Sequence, residues 1–121
     1  MEKTMIPILK SGDYLITSPQ VTLHDKIAVQ YKTSILEKIV ETKAKGLVLD
    51  LSAIDVVDSF LVKQIAEIAT AAHIMGAEVV VVGLRPEVAM TLVEMGFTLE
   101  GIHTARDLEK GIETLRRVGK Q

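Results

Sequence analysis

Side chains that could do chemistry gather in residues 50–59, where three aspartates and a serine follow an apolar segment. Asp50, Asp55 and Asp58 form a carboxylate cluster, and Ser59 follows the last of them directly. An aspartate at the end of a buried strand could accept a phosphoryl group, but that chemistry needs a further acidic pair to hold Mg²⁺. No such pair follows the first two predicted strands. We therefore favour the alternative that Asp50 and Asp55 accept hydrogen bonds from loop N–H groups.

Ser59 stands where a helix is predicted to begin, because apolar side chains recur at helical spacing from Leu61 to Met75. Its hydroxyl could simply cap the helix, which is worth roughly 1 kcal/mol. Asp58 could cap equally well and leave the Ser59 hydroxyl in solvent. The N–H groups and dipole of a helix N-terminus favour negative charge, so the helix could accept a phosphate on Ser59. The spacing permits a phosphorylation switch without requiring one.

Other chemistries find little support. His24, His73 and His103 lack the spacing of metal ligands, there is no cysteine, and neither a nucleophile elbow nor a phosphate-binding loop is present. The sequence thus predicts no catalytic residue, metal or cofactor.

A formal net charge of −2 and 3% aromatic residues argue against nucleic-acid binding. With no long apolar segment or signal peptide, we expect a soluble, cytoplasmic protein.

The chain has 121 residues, enough for one domain with an aliphatic core. The periodicity of its apolar residues predicts the strands and helices that must position Ser59. The predicted strands are residues 5–10, 14–18, 47–51, 78–83 and 97–102, and the predicted helices end near residues 43, 75, 96 and 120. Capping-box spacing at Thr22–Asp25 and Thr104–Asp107 marks two helix starts. The order ββαβαβαβα predicts an α/β fold with a mixed, mostly parallel sheet, and Pro7 suggests an edge strand.

The sequence resembles the STAS domain family, the fold of anti-sigma-factor antagonists and of sulfate-transporter C-terminal domains. The likeness covers essentially the whole chain, so residues 1–121 are expected to form one STAS domain. Asp58-Ser59-Phe60 is its most specific short motif. The other matching pieces are residues 6–10, 48–52, 75–77, 85–89, 91–96 and 107–111.

More narrowly, the sequence is similar to RsbS-type proteins, the small scaffold proteins of the bacterial stressosome. The resemblance implies a non-enzymatic scaffold that assembles with RsbR-type paralogues, which carry an additional N-terminal sensor domain. It further implies that an RsbT-type serine kinase is held by the scaffold, phosphorylates Ser59 and is then released, and that an RsbX-type phosphatase reverses the modification. The ATP and Mg²⁺ would belong to the kinase. Thr91 corresponds to a second phosphorylated threonine of RsbR-type paralogues and is the weaker candidate, because it could equally line a helix.

We predict that four residues near Ser59 flank the surface that the kinase covers: Asp58, Phe60, Val62 and Lys63. For Phe60, packing in the core is an equally good explanation. Residues 19–25 depart most from the family pattern.

Two other functions remain open at this point. One is a stand-alone anti-sigma factor antagonist, which binds an anti-sigma factor kinase one-to-one through the same serine. The other is a small enzyme or receiver-like domain that uses Asp50 and Asp55.

Overall fold

The structure is a computed structural model that describes residues 6–19, 25–54, 59–96 and 101–119, with the side chain of Asp25 excepted. Within these ranges, strands and helices follow each other in the predicted order. They are β1 (Ile8–Ser11), β2 (Tyr14–Thr17), α1 (Asp25–Thr42), β3 (Gly46–Asp50), α2 (Ser59–Ile74), β4 (Glu78–Val82), α3 (Pro86–Glu94), β5 (His103–Ala105) and α4 (Leu108–Gly119).

The five strands form one sheet in the order β1-β2-β3-β4-β5. β1 and β2 are antiparallel, whereas β2, β3, β4 and β5 are parallel to one another. The predicted mixed, mostly parallel sheet is therefore confirmed, and so is the edge position of the strand that follows Pro7. Since the crossovers place helices on the sheet, β3 and β4 are buried on both faces.

Alternate residues of the central strands belong to two separate cores. Leu47, Leu49, Val79 and Val81 pack with buried residues of α1, α2 and α3 on one face. Val48, Val80 and Val82 pack with Leu115 of α4 on the other face. α2 contacts both α1 and α3 and so lies in the middle of a three-helix layer, and α4 covers the opposite face.

Two predictions near the C-terminus are wrong. Residues 97–102 were predicted to form a strand, but Gly101 and Ile102 are not in one and β5 begins at His103; residues 97–100 lie outside the described ranges. Thr104 was predicted to cap the last helix, but it belongs to β5. Asp107 is the cap instead, because its Oδ1 accepts a hydrogen bond from the Lys110 N–H at 3.0 Å. The other predicted capping residue, Thr22, lies outside the described ranges.

Candidate functional site

Ser59 is the first residue of α2 and is exposed. Phe60 follows and is half-buried, and the two residues after it are buried: Leu61 is 4% and Val62 1% exposed. The helix therefore turns its core face toward the sheet immediately after presenting Ser59 to solvent. Because α2 follows the carboxyl end of β3, Ser59 lies at the edge of the sheet where the parallel strands end. The predicted start of the second helix at Ser59 is confirmed.

The segment that leads from β3 toward α2 is held in place by its neighbours. The N–H of Ser52 donates to Asp50 Oδ1 at 3.0 Å, and the N–H of Leu51 donates to the carbonyl of Val82 at 2.9 Å. Arg85, the N-cap residue of α3, donates from Nη2 to the carbonyl of Ser52 at 3.2 Å. Asp50 thus orders a loop, as predicted, whereas Asp55 lies outside the described residues.

Gly83 allows this close approach of the strand ends. Its φ is +69°, and a Cβ atom added there would lie 2.9 Å from Ser52 Cβ and 3.1 Å from Asp50 Oδ1. Any larger residue would be strained in its backbone and would press on the Asp50–Ser52 turn. The carboxyl ends of β3 and β4 are therefore packed too closely for a side chain at residue 83.

The residues predicted to flank the kinase footprint separate into different groups. Lys63 is exposed, and Phe60 is half-buried against the core, so both offer surface next to Ser59. The side chain of Val62 is buried on the core side of α2, so the prediction that it contacts a partner is not retained. Asp58 lies outside the described residues.

Charges on α2 continue from Lys63 to Glu67, which faces α1. Lys32 of α1 forms an ion pair with Glu67, with Nζ 2.8 Å from Oε1. The hydrogen bond from Lys32 holds the pKa of Glu67 below its ordinary value. Burial opposes this effect, and the positive charges of Lys32 and Lys63 add to it. The sequence analysis did not predict that Glu67 would lie between two lysines. The spacing of Lys63 and Glu67, four residues apart on a predicted helix, was the one available signal.

Thr91 lies within α3 and is half-exposed. Its hydroxyl donates to the carbonyl of Glu87, one helical turn earlier, at 2.9 Å. This local bond is the usual one for a threonine inside a helix. The Thr91 hydroxyl is therefore engaged within its own helix.

In the described part of the chain, no group of three or more His, Asp or Glu side chains is placed so that it could hold a metal ion. His103 lies 3.2 Å from Glu78 Oε1, and the pair is half-buried. His73 is exposed at the end of α2, and His24 lies outside the described residues. Among the helices described, none is both long and apolar enough to span a bilayer.

The sequence model of the STAS domain matches residues 7–111. The chain belongs to the STAS domain family. It is 39% identical to a serine-to-glutamate variant of RsbS from Moorella thermoacetica, with a TM-score of 0.87, over 97% of this chain and 99% of that one. It is 42% identical to a chain from a structure of the stressosome, described as a signal integration and transduction hub, with a TM-score of 0.85, over 95% of this chain and 100% of that one.

Relatives with longer chains are also similar. The chain is 26% identical over 115 residues to the RsbT co-antagonist protein RsbRA of Bacillus subtilis (strain 168). This alignment covers 94% of the chain and 42% of RsbRA. It therefore spans less than half the length of that relative. The fold is also that of the anti-sigma factor antagonist SpoIIAA, with a TM-score of 0.66 at 11% identity.

Proposed function

We propose that this chain is a non-enzymatic phosphoswitch scaffold of a stressosome-type signalling complex. In this proposal it sequesters an RsbT-type serine kinase and releases it when the kinase phosphorylates Ser59. The observation that carries the proposal is the exposed position of Ser59 at the first residue of α2. A kinase can reach a hydroxyl there without unfolding the helix.

The similarities to known proteins support the partners that we propose. The chain matches RsbS and a stressosome chain over nearly their whole length, and it matches part of an RsbT co-antagonist protein. We therefore propose hetero-oligomers with an RsbR-type paralogue, reversal by an RsbX-type phosphatase, and one STAS domain over residues 1–121. The kinase would supply ATP and Mg²⁺ in the cytoplasm.

The surface around Ser59 explains how phosphorylation would release a partner. It combines the half-buried ring of Phe60 with the exposed ammonium group of Lys63, so an apolar and acidic kinase surface would fit it. A phosphate adds about −1.5 to −2 charges near neutral pH. Docking would then cost both desolvation of the phosphate and repulsion from the acidic groups of the partner. We propose that Asp58 borders the same footprint.

Mapping of the phosphorylated residue tests the proposal. The protein is incubated with ATP, Mg²⁺ and its cognate kinase and is then analysed by mass spectrometry. We expect one phosphate on Ser59, no phosphate on Ser59→Ala, and wild-type labelling of Ser52→Ala. Ser52 is a matched control because it is an exposed serine on the connection between the same strand and helix. Equal labelling of wild type and Ser59→Ala would overturn the proposal.

Phosphorylation of Thr91 is the weaker part of the proposal, because its hydroxyl is bonded within α3. The same mass spectra would reveal it. We expect labelling of Thr91 to be slower than that of Ser59, so that Ser59→Ala carries no phosphate at the time when Ser59 of wild type is fully labelled.

A further inference from the structure

Three polar side chains form a stripe along the outer side of α2. Ser59, Lys63 and Glu67 are spaced four residues apart, so each lies one helical turn from the next. Ser59 and Lys63 are exposed, and the side chain of Glu67 is 40% exposed. A group attached to Ser59 would therefore have Lys63 as its neighbour on the helix surface.

Lys32 of α1 already neutralises the charge of Glu67. Its Nζ lies 2.8 Å from Glu67 Oε1, within both ion-pair and hydrogen-bond distance. Among the ion pairs formed by described residues, none includes Lys63. Lys63 is thus a surplus cation on this stripe, placed between a carboxylate that has another partner and the serine.

We propose that Lys63 is the intramolecular partner of phosphorylated Ser59, with its ammonium group paired to the phosphate one turn away. This inference rests on the proposed function, which makes Ser59 the modified residue. A lysine suits the role because its long, flexible side chain carries three N–H donors that can follow a phosphate. A phosphoserine followed four residues later by a lysine has the same arrangement of charges as a glutamate and a lysine at i,i+4, which stabilise a helix.

The pairing gives phosphorylation two effects on the surface. The phosphate adds negative charge, and Lys63 no longer presents an unpaired positive charge to a partner. An acidic kinase surface would lose its attractive contact and gain a repulsive one in the same event.

The charges that face the phosphate limit how it can be arranged. Lys63 and Glu67 lie on α2, Lys32 approaches from α1, and Asp58 precedes Ser59 in the sequence but lies outside the described residues. The lowered pKa of Glu67, caused first by Lys32 and to a smaller extent by Lys63, agrees with a Lys63 that lies near this stripe without being its principal partner.

The test measures the second pKa of the phosphate by ³¹P NMR, with phosphoserine installed at residue 59 during translation so that no kinase is needed. In wild type at low salt, pairing with Lys63 should lower this pKa by about 0.3 unit relative to Lys63→Gln, as expected for an i,i+4 pair of ~0.4 kcal/mol. Lys63→Arg should retain the low value. The difference should shrink as salt is added, because exposed pairs are screened.

Lys110→Gln is the matched control. Lys110 is an exposed helical lysine beside a glutamate at an i,i+3 position, but it lies on α4, on the opposite face of the sheet. This variant has the same change in net charge and should leave the phosphate pKa at the wild-type value. Equal phosphate pKa values in wild type and Lys63→Gln, or an equal rise in Lys110→Gln, would overturn the pairing.

Failure of this inference can be distinguished from failure of the proposed function. The titration uses the isolated phosphorylated protein and reports only on the neighbours of the phosphate. The mapping experiment uses the kinase and reports only on which serine it modifies. Labelling of Ser59 together with an unchanged phosphate pKa in Lys63→Gln would reject the pairing and leave the phosphorylation site standing.

Discussion

The buried hydroxyl of Tyr31 shows how a polar group is accommodated in a mainly aliphatic core. Thr17 Oγ1 lies 2.8 Å from the carbonyl of Pro7 and 2.7 Å from the Tyr31 hydroxyl. Because the carbonyl can only accept, the single proton of Thr17 goes to Pro7, and Tyr31 must donate to Thr17. Burial raises the pKa of Tyr31 well above its ordinary value.

This raised pKa predicts a loss of stability in alkali. Below about pH 10 Tyr31 is neutral in both the folded and the unfolded chain. As the pH rises further, the unfolded chain releases the proton while the folded protein retains it, so the free energy of unfolding falls. Urea unfolding between pH 8 and pH 11 should show this fall in wild type and a smaller one in Tyr31→Phe.

Tyr31→Phe should also cost about 1 kcal/mol at neutral pH, the usual value of a lost hydrogen bond. Tyr14→Phe is the control, because it removes the hydroxyl of a half-buried tyrosine on the other face of the sheet. Its stability should fall with pH as in wild type. If Tyr31→Phe kept the full alkaline loss of wild type, the linkage to Tyr31 would be wrong.

At the scale of elements, α4 depends on a glycine for its contact with the sheet. A Cβ atom added to Gly111 would lie 2.6 Å from Val82 Cγ1 in β4. The Gly111→Ala substitution should therefore destabilise the protein by about 1–3 kcal/mol through overpacking. The loss would be larger but for the better helix propensity of alanine. Chemical unfolding measures the difference.

Gly119→Ala is a matched control on the same helix, because nothing lies within 4 Å of the added atom. It should be neutral or slightly stabilising. In addition, Val82→Ala should make the Gly111→Ala change less costly, since it removes the atom that clashes. Equal stability of Gly111→Ala and Gly119→Ala would show that α4 does not pack as closely as the structure indicates.

Most elements could be predicted because their apolar periodicity agrees with their final position. α2 was predicted to begin at Ser59, as observed, and β4 to begin at Glu78. β5 could not be placed, because it is an edge strand of three half-exposed or exposed residues whose position is set by pairing with Val80–Val82. Its own side chains carry no alternating pattern, so only the tertiary contacts locate it.

The same limit applies to the candidate site. The position of Ser59 followed from the predicted start of a helix, but the burial of Val62 did not follow from a single apolar stripe. α2 is packed between α1 and α3, so its buried arc is wider than that of a helix at the edge of a layer, and Val62 lies within it. The ion pair between Lys32 and Glu67 joins two helices, and sequence spacing within one helix cannot reveal it.

At the scale of the whole molecule, the proposed scaffold should form large assemblies with a partner that carries the same fold. Light scattering of the chain mixed with its RsbR-type paralogue should show particles far larger than the two chains together. The alternative, a stand-alone anti-sigma factor antagonist, predicts only one-to-one complexes with a kinase. Small complexes with the kinase and none with the paralogue would favour that alternative.

Capture of the kinase is the measurement that tests the phosphoswitch most directly. Isothermal titration of the cognate kinase would compare the unphosphorylated protein, Ser59→Ala, and protein with stoichiometric phosphoserine at residue 59. The first two should bind with similar affinity, and the phosphorylated form should bind at least about tenfold more weakly, a difference of ~1.4 kcal/mol. Equal affinity of the kinase for all three proteins would contradict the account.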